Sequence, residues 1–205
     1  MRPDTAQPHR SRVFVALVHY PVIDKRGDLV TTSVTNLDVH DIARSCRTYG
    51  VEGYYIVTPV PAMHWFVRRV KRFWSEGAGA EYNETRRDAF ELLRLAESLD
   101  EAAADIESRT GRRPARVATS ARMRPNTVGF GELRAKIEQN SDDFLLILGT
   151  GWGLHSSLFA QTDLTLEPIE PQSDYNHLSV RAAAAIMLDR LLGARCEGKS
   201  SSGVM

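Results

Sequence analysis

The chain is organised around the segment from Phe144 to Gly193. This segment reads FLLILGTGWGLHSSLF over 144–159, LTLEPI over 164–169 and EPQSDYNHLSVRAAAAIMLDRLLG over 170–193. Two apolar runs each end in a turn, and a polar loop then leads into an alanine-rich helical segment. In open α/β sheets, ligands bind at the carboxyl ends of the strands. We therefore expect the turns of this stretch to form one cofactor pocket.

The composition is typical of an ordinary globular protein. The 205 residues are 42% hydrophobic and 25% charged, and Lys plus Arg equals Asp plus Glu at 26 each. This length suits one domain, which we place over 12–195, with flexible tails over 1–11 and 196–205. No apolar run approaches the roughly 20 residues that span a bilayer, and MRPDTAQPHRSR does not resemble a secretory signal. We expect a cytoplasmic protein that does not associate with membranes.

The two cysteines give no evidence for a metal site or a disulfide framework. Cys46 and Cys196 lie far apart in the sequence and show no CxxC spacing. We therefore expect no bound metal. Because the net charge is zero, it provides no long-range attraction to nucleic acid, and only local basic patches could do so.

Alternating strand and helix patterns predict an α/β fold. Strands are expected over 12–20, 51–58, 116–120 and 142–148, with an extended segment or strand over 29–35. One helix is expected to begin at a cap residue, Asn36 or Asp38, and to end at Gly50. Two more are expected, over 127–139 and in the alanine-rich segment. The region 59–113 reads as a helical insert, with one helix in 61–74 and a long helix or broken pair over 84–111. The order predicts a mostly parallel sheet with helices on both faces.

The glycine-rich turn Gly149-Thr150-Gly151-Trp152-Gly153 is a weak signal by itself. It lacks the third glycine of GxGxxG and the lysine of a phosphate-binding loop, and no acidic residue follows at the position that a nicotinamide enzyme would need. A hydrolase using His19, or His155 with Ser156, is disfavoured because no GxSxG motif is present. The evidence therefore lies in the order of the turn and the motifs after it.

LGTGWGL, LEPI and DYNHLSVRAAAAIMLDRLLG, in that order, resemble the second and third motifs of the SPOUT class of S-adenosylmethionine-dependent RNA methyltransferases. The likeness is greatest to a bacterial branch that carries DYNHLSVR. Upstream, Asn36, Arg44 and Gly50 resemble the first motif, although the gap from Asn36 to Arg44 is longer than in the better known branch. Two positions depart from the wider class: Pro171 stands where glycine is common, and His177 where asparagine is common.

The resemblance implies a trefoil knot at the carboxyl-terminal end and an S-adenosylmethionine site lined by three loops. It implies a cofactor-binding set of Thr119, Gly149, Thr150, Gly151, Pro168, Ile169, His177, Leu178 and Ser179. Arg44 would act in catalysis by orienting and activating the acceptor, although a surface salt bridge to Asp41 or Glu52 is the alternative from sequence alone. The substrate would be tRNA or rRNA, and family members dimerise through the knot helices, where Ala182 to Ala185 would allow close approach. A non-catalytic RNA-binding or assembly protein with the same fold is the alternative function.

Two basic segments are candidates for RNA contact. The segment from Trp65 to Trp74 mixes cations with aromatic residues, a combination that binds phosphates and stacks on bases. Its Phe66, Val70 and Phe73 could equally be core residues. The second candidate is a group of arginines near the strand that carries Thr119, namely Arg109, Arg112, Arg113, Arg116, Arg122 and Arg124.

Overall fold

The computed structural model describes residues 11–76, 79, 83–139 and 142–194. A seven-stranded sheet forms its centre, and every neighbouring pair of strands in it is parallel. The strands are β1 (Val13–Val18), β4 (Gly53–Val57), β5 (Leu93–Ala96), β6 (Ala115–Ala118), β7 (Thr127–Val128), β8 (Phe144–Gly149) and β9 (Leu164–Leu166). Their spatial order is β5-β4-β1-β8-β6-β9-β7. A separate antiparallel hairpin contains β2 (Val22–Ile23) and β3 (Leu29–Val30).

Seven helices are seen among the described residues, and they cover both faces of the sheet. They are α1 (Asn36–Thr48), α2 (Pro61–Ser75), α3 (Glu84–Phe90), α4 (Leu99–Thr110), α5 (Phe130–Gln139), α6 (Ser156–Phe159) and α7 (Val180–Leu192). None of these described helices is long and apolar enough to cross a membrane. The mostly parallel sheet with helices on both faces is therefore confirmed.

The strand β1 shows how its sequence produces this layering. All six residues of VFVALV are buried, as expected for a parallel strand covered on both faces. Successive side chains point to opposite faces: Val15 and Leu17 join the core under α1, α5 and α7, whereas Phe14 and Ala16 join the core under α4 and α6. A strand such as β1, which lies inside the sheet, therefore needs a continuous apolar run rather than an alternating one.

Helix boundaries follow local capping chemistry. The α1 cap is Thr35, whose side chain accepts a hydrogen bond from the Asp38 amide, rather than the expected Asn36 or Asp38. Helix α4 begins after Ser98, which caps the Glu101 amide, and ends at Gly111 in a left-handed conformation. Glu167, just past β9, accepts a hydrogen bond of 2.6 Å from the Phe130 amide at the start of α5.

The predicted helical region 59–113 contains a strand at its centre. Helices α2, α3 and α4 are present, and α3 and α4 are the broken pair that was the alternative to one long helix over 84–111. Between them, Leu93–Ala96 forms the edge strand β5 beside β4, which the prediction did not include. The apolar residues at 90, 93 and 96 fit a helical period, yet Leu93 and Ala96 are buried against the sheet. Short apolar runs are ambiguous between the two periods, and pairing with β4 decides for the strand.

Two smaller corrections concern chain segments of mixed character. The segment 29–35 forms strand only at Leu29–Val30, and the helix predicted over 127–139 begins with strand β7 before α5 starts at Phe130. The other strands lie within two residues of their predicted ends. The structure does not describe residues 1–10 of the predicted amino-terminal tail. It also does not describe the predicted tail over 196–205.

The parallel strands bring their carboxyl ends to one edge of the sheet. The loops after β6, β8 and β9 therefore meet there, next to the hairpin β2–β3 and the amino-terminal end of α1. Helix α7 returns from this edge to pack between α1 and α5. This arrangement positions the site.

Candidate functional site

A cavity of about 780 Å³, here named the strand-end pocket, opens at this edge of the sheet. That volume lies in the range of small-molecule sites. The structure brings together eight of the nine predicted cofactor-binding residues in its lining: Thr119, Gly149, Thr150, Gly151, Ile169, His177, Leu178 and Ser179. Pro168 is the exception, because it is buried at the end of β9 and does not line the pocket.

The glycine turn forms one wall, and its backbone leaves no room for side chains. A Cβ atom on Gly149 would lie 2.7 Å from the Leu154 amide nitrogen. Gly151 has φ +61°, and a Cβ there would lie 2.9 Å from the Ile23 carbonyl oxygen. The β2 strand supports the turn, since the Trp152 amide donates to the Ile23 carbonyl oxygen at 2.9 Å. The glycines therefore create a close, fixed backbone surface.

A chain of hydrogen bonds fixes the polar floor of the pocket. Thr150 Oγ1 donates to the Val18 carbonyl oxygen at 2.9 Å and is also hydrogen-bonded to Thr32 Oγ1. His19 Nδ1 and Thr32 Oγ1 share a further hydrogen bond of 3.0 Å. His19 Nε2 is buried without a hydrogen-bond partner. Burial lowers the pKa of His19 from 6.5 to about 4, despite the opposing charge of Asp38.

The first turn of α7 closes the opposite wall and is tied to α1. Ser179 caps α7 by accepting from the Ala182 amide. Arg181 NH1 lies 2.9 Å from Asp38 Oδ1, and its Nε lies 3.4 Å from Asp41 Oδ2. Asp38 is buried and also accepts from Thr35 Oγ1 at 2.6 Å. The ion pair holds the loop that ends at Ser179 against the start of α1.

Aromatic side chains stand at the mouth of the pocket. Trp152 is 56% exposed and Tyr175 is 72% exposed. His177 lies between them, with ring centroids 6.2 Å from Trp152 and 5.3 Å from Tyr175, both in edge-on contacts. Exposed rings next to a pocket provide surfaces on which a planar group can stack.

The predicted arginine group is divided by the structure. Arg109 pairs with Asp105, Arg116 pairs with Asp100 and is itself buried, and Arg112 lies 3.8 Å from the buried carboxylate of Asp143. These three arginines are thus each placed against a carboxylate of the same chain. Only Arg122 and Arg124 of the group line the strand-end pocket, and the Arg124 guanidinium lies 4.6 Å from the Phe159 ring centroid.

A second cavity, of about 1130 Å³, lies between α1 and α2 and is named here the α1–α2 cleft. Asn36 and Arg44, the residues of the first predicted motif, line this cleft and not the strand-end pocket. The cleft contains Arg44, Arg68, Arg69, Arg72 and Arg86 against only Asp41 and Glu76. Burial and the nearby Arg86 charge lower the pKa of His40 in its wall. The candidate residues of the three loops and those of the first motif thus occupy neighbouring but distinct cavities.

Sequence reasoning missed Thr32, Asp38 and Arg181 as site residues. Thr32 and Asp38 are brought to the pocket by the hairpin and by α1, and no local pattern marks them. Arg181 lies within the quoted DYNHLSVR motif, so the motif itself was a signal for it. Trp152 likewise lies within the quoted glycine turn.

Alternative chemistries have little structural support. His155 Nδ1 contacts Ser157 Oγ at 2.9 Å and caps the short helix α6, so it is not directed at Ser156. In the described part of the chain, no group of three or more His, Cys, Asp or Glu side chains could hold a metal ion. Cys46 is buried in the core, where burial raises the pKa of its thiol. Cys196 is outside the described residues.

Comparison with known proteins identifies the class that this fold and pocket define. Residues 12–193 match the model of a family described as SAM-dependent RNA methyltransferase, and the chain belongs to that family. The S-adenosylmethionine-dependent RNA methyltransferase class expected from the motifs is thereby confirmed.

The chain is also similar to individual proteins and to solved structures. An uncharacterised protein of Aquifex aeolicus is 46% identical over 186 residues, which cover 90% of this chain and 91% of that protein. A protein of Oleidesulfovibrio alaskensis named tRNA (guanine-N(1)-)-methyltransferase is 43% identical over 94% of this chain, which spans only 44% of that protein's length. The crystal structure of a TrmH/SpoU tRNA modifying enzyme from Aquifex aeolicus is similar in fold. Its TM-score is 0.53 at 15% identity, covering 89% of this chain and 76% of that one. That likeness implies the knot at the carboxyl-terminal end.

Proposed function

We propose that the strand-end pocket binds S-adenosylmethionine and that the chain transfers its methyl group to an RNA base presented at the pocket mouth. The observation that carries this proposal is the convergence of three motif loops on one cavity, with eight of nine predicted residues in its lining. Membership of the SAM-dependent RNA methyltransferase family supports both the cofactor and the substrate class.

The pocket fits this cofactor in shape and charge. Gly149 and Gly151 line it with backbone, and a Cβ at either position would collide with the main chain of Leu154 or Ile23 and distort this wall. The lining includes carboxylates of Asp38 and Asp174 and guanidinium groups of Arg122, Arg124 and Arg181. Charges of both signs suit a ligand that has a sulfonium, an ammonium and a carboxylate group. Gly149 to Gly151, Ile169 and the His177 to Ser179 loop would hold it.

The protein's contribution to the reaction is placement. S-adenosylmethionine supplies an electrophilic methyl group, so few catalytic side chains are needed. The acceptor atom must be held in line with that methyl group, about 3 Å away. Trp152 and His177 line the pocket and Tyr175 packs edge-on against His177, so these exposed rings offer stacking surfaces to an unpaired base. We propose that they position the acceptor base.

Arg44 has a different part in this proposal from the one that the resemblance implies. Its side chain is exposed and lines the α1–α2 cleft, and no ion pair joins it to Asp41, Glu52 or any other residue that the structure describes. Its catalytic role therefore stays a prediction. We propose that within one chain Arg44 binds an RNA phosphate and so aligns the substrate with the neighbouring pocket.

The name of the Oleidesulfovibrio alaskensis relative favours tRNA over rRNA as the substrate. More than half of that protein lies outside the matched region, so its guanine specificity is not carried over.

Dimerisation also belongs to the proposal. Ala182, Ala185 and Ile186 on α7 are half-buried in the single chain and leave a shallow apolar strip on which a second copy could pack.

Calorimetry with S-adenosylmethionine, followed by transfer of a labelled methyl group to total RNA, tests the function. We expect binding and transfer by the wild-type chain, and mass spectrometry of the nucleosides would name the product. Absence of cofactor binding by folded protein would contradict the proposal. Tight RNA binding without any transfer would instead support the non-catalytic alternative.

Sedimentation of the wild type and Ala185→Glu tests the dimer, which the charged variant should dissociate.

A further inference from the structure

The α1–α2 cleft has an unusual surface for a region outside the pocket. Trp65 is 64% exposed, Phe73 is 53% exposed and Leu37 is 57% exposed, although all three are large apolar side chains. They line one cavity together with five arginines. A contiguous exposed surface that combines apolar rings with one sign of charge marks a binding site more often than an isolated exposed residue does.

The aromatic rings of the cleft are held in place. The Arg86 guanidinium lies 4.2 Å from the Trp74 ring centroid, and the His40 ring meets Trp74 edge-on at 5.5 Å. Trp74 in turn meets Phe73 edge-on at 5.0 Å, which fixes the Phe73 ring while leaving it half exposed. Trp65 has only Arg69 nearby, with the guanidinium 6.0 Å from its ring centroid. One face of the cleft is thus a fixed platform.

The positive charge of the cleft is largely uncompensated. Arg44, Arg68 and Arg69 are exposed and form no ion pair with the residues that the structure describes. Arg72 reaches Glu76 only at 4.0 Å, and both side chains are about three-quarters exposed, so that pair contributes little. The site therefore favours an anionic partner.

The cleft and the strand-end pocket share the first turn of α1. Thr35 and Asp38 line the pocket, whereas Asn36 and Leu37 line the cleft. A chain molecule lying in the cleft would consequently reach the pocket mouth by passing around this single turn. Trp65 and Phe73 are eight residues apart on α2, which corresponds to about 12 Å along the helix axis. Successive stacked bases are only about 3.4 Å apart. Trp65 and Phe73 are therefore too far apart to stack on two adjacent bases of one stack.

We infer that the α1–α2 cleft binds an unpaired segment of the RNA substrate, with bases on Trp65 and Phe73 and phosphates on Arg44, Arg68 and Arg69. This inference rests on the proposed RNA methyl-transfer function. Base stacking on aromatic rings and phosphate contact by guanidinium groups are the usual means by which proteins hold single strands. A second copy of this chain fits less well, because a two-fold interface would bring the same arginines face to face.

Fluorescence anisotropy with a short, labelled, unstructured oligoribonucleotide, without S-adenosylmethionine, tests the inference. Trp65→Ala should weaken binding about tenfold, which is within the stacking contribution of one base, and Trp65→Phe should retain most of the affinity. Arg69→Ala should lower the slope of log affinity against log salt by about 0.7, the value for one phosphate contact on a single strand.

Arg47→Ala is the matched control. Arg47 is an exposed arginine on α1 that does not line the cleft, so its loss should change affinity by less than about twofold. If Trp65→Ala and Arg69→Ala bind RNA as the wild type does, the inference is overturned. A change in oligomeric state of Trp65→Ala on sedimentation would also overturn it, because the cleft would then hold a second copy.

Calorimetry on the same proteins separates this inference from the proposed function. Trp65→Ala and Arg69→Ala should bind S-adenosylmethionine like the wild type. Absence of cofactor binding or methyl transfer in the wild type would contradict the proposed function, whatever the oligoribonucleotide titration gives. If Trp65→Ala does not fold, it will show no cooperative thermal transition. Arg69→Ala changes only an exposed side chain and still tests the inference in that case.

Discussion

The strand-end pocket and the α1–α2 cleft lie on two sides of one helical turn, yet they are built in opposite ways. The pocket is shaped by loops at strand ends, where Gly149 and Gly151 keep side chains out and hydroxyl groups bond to the backbone. The cleft is shaped by the surfaces of helices, from which Trp65, Phe73 and arginines project. One cavity depends on the main chain and the other on side chains.

This difference predicts which kind of substitution each cavity tolerates. The pocket should be sensitive to added atoms, because its backbone approaches within 3 Å of where a Cβ would stand. The cleft should be sensitive to removed atoms, because its rings and charges are its binding groups.

Gly151→Arg should reduce S-adenosylmethionine affinity by at least about 100-fold, a loss typical of small displacements at an active site. The new side chain must start from φ +61° with its Cβ 2.9 Å from the Ile23 carbonyl oxygen, which strains the turn. Calorimetry measures the affinity. Gly131→Arg adds the same charge where a Cβ meets nothing within 4 Å, and it should bind normally. Equal affinities for the two folded variants would contradict the division.

His19→Asn should change how stability depends on pH. The unfolded chain accepts a proton on His19 near pH 6.5, whereas the folded chain resists it down to about pH 4. The wild type therefore loses stability as the pH falls from 6.5 towards 4, by up to about 3 kcal/mol relative to the variant. Above pH 6.5 the difference between the two proteins should be constant. Urea denaturation at several pH values measures it, and a difference independent of pH would refute the role assigned to His19.

Arg44→Ala should raise the KM for RNA about fivefold, since one exposed charge contact contributes about 1 kcal/mol or less. Cofactor affinity should stay unchanged, because Arg44 does not line the pocket. Steady-state methyl transfer with varied RNA separates KM from kcat. A large fall in kcat with little change in KM would show instead that Arg44 acts on the reaction itself, as the resemblance implies.

Thr119→Val should have the smallest effect on cofactor affinity, less than about threefold. The Thr119 hydroxyl already donates to the Ile147 carbonyl oxygen at 2.9 Å, so it is committed to the fold. Loss of that bond should lower the free energy of unfolding by about 1 kcal/mol. Thermal denaturation and calorimetry measure the two quantities. A tenfold loss of cofactor affinity would show that this side chain, and not only the main chain, forms the pocket.

The sequence was sufficient for the parts of the fold that local patterns determine. VFVALV and FLLILG were recognisable as buried strands, and Ser179 and Gly193 bracket a helix with ordinary boundaries. The pocket loops were recognisable because they follow apolar runs in a characteristic order. These features need only nearby residues for their explanation.

The parts that could not be predicted depend on distant contacts. Leu93–Ala96 becomes a strand because β4 offers it an edge, and its own periodicity does not distinguish it from a helix. Asp38 joins the pocket because α1 packs beside α7, where Arg181, 143 residues later, pairs with it. Arg44 lies in the cleft because α3 packs against both α1 and α2 and so brings these two helices to one cavity. No local signal encodes these pairings.

The strand order has a consequence for how the chain is made. Strand β8 separates β1 from β6, and β9 separates β6 from β7, although both intervening strands are later in the chain. During synthesis, β1, β4 and β5 are complete while one edge of β1 still lacks its neighbour, and β6 has no place until β8 emerges. The central strand β8 is thus synthesised after the strands β1, β4 and β5 on one side of it. An open strand edge is prone to mispairing, so the growing chain passes through an interval of vulnerability that residues 144–149 end for β1 and residues 164–166 end for β6 and β7.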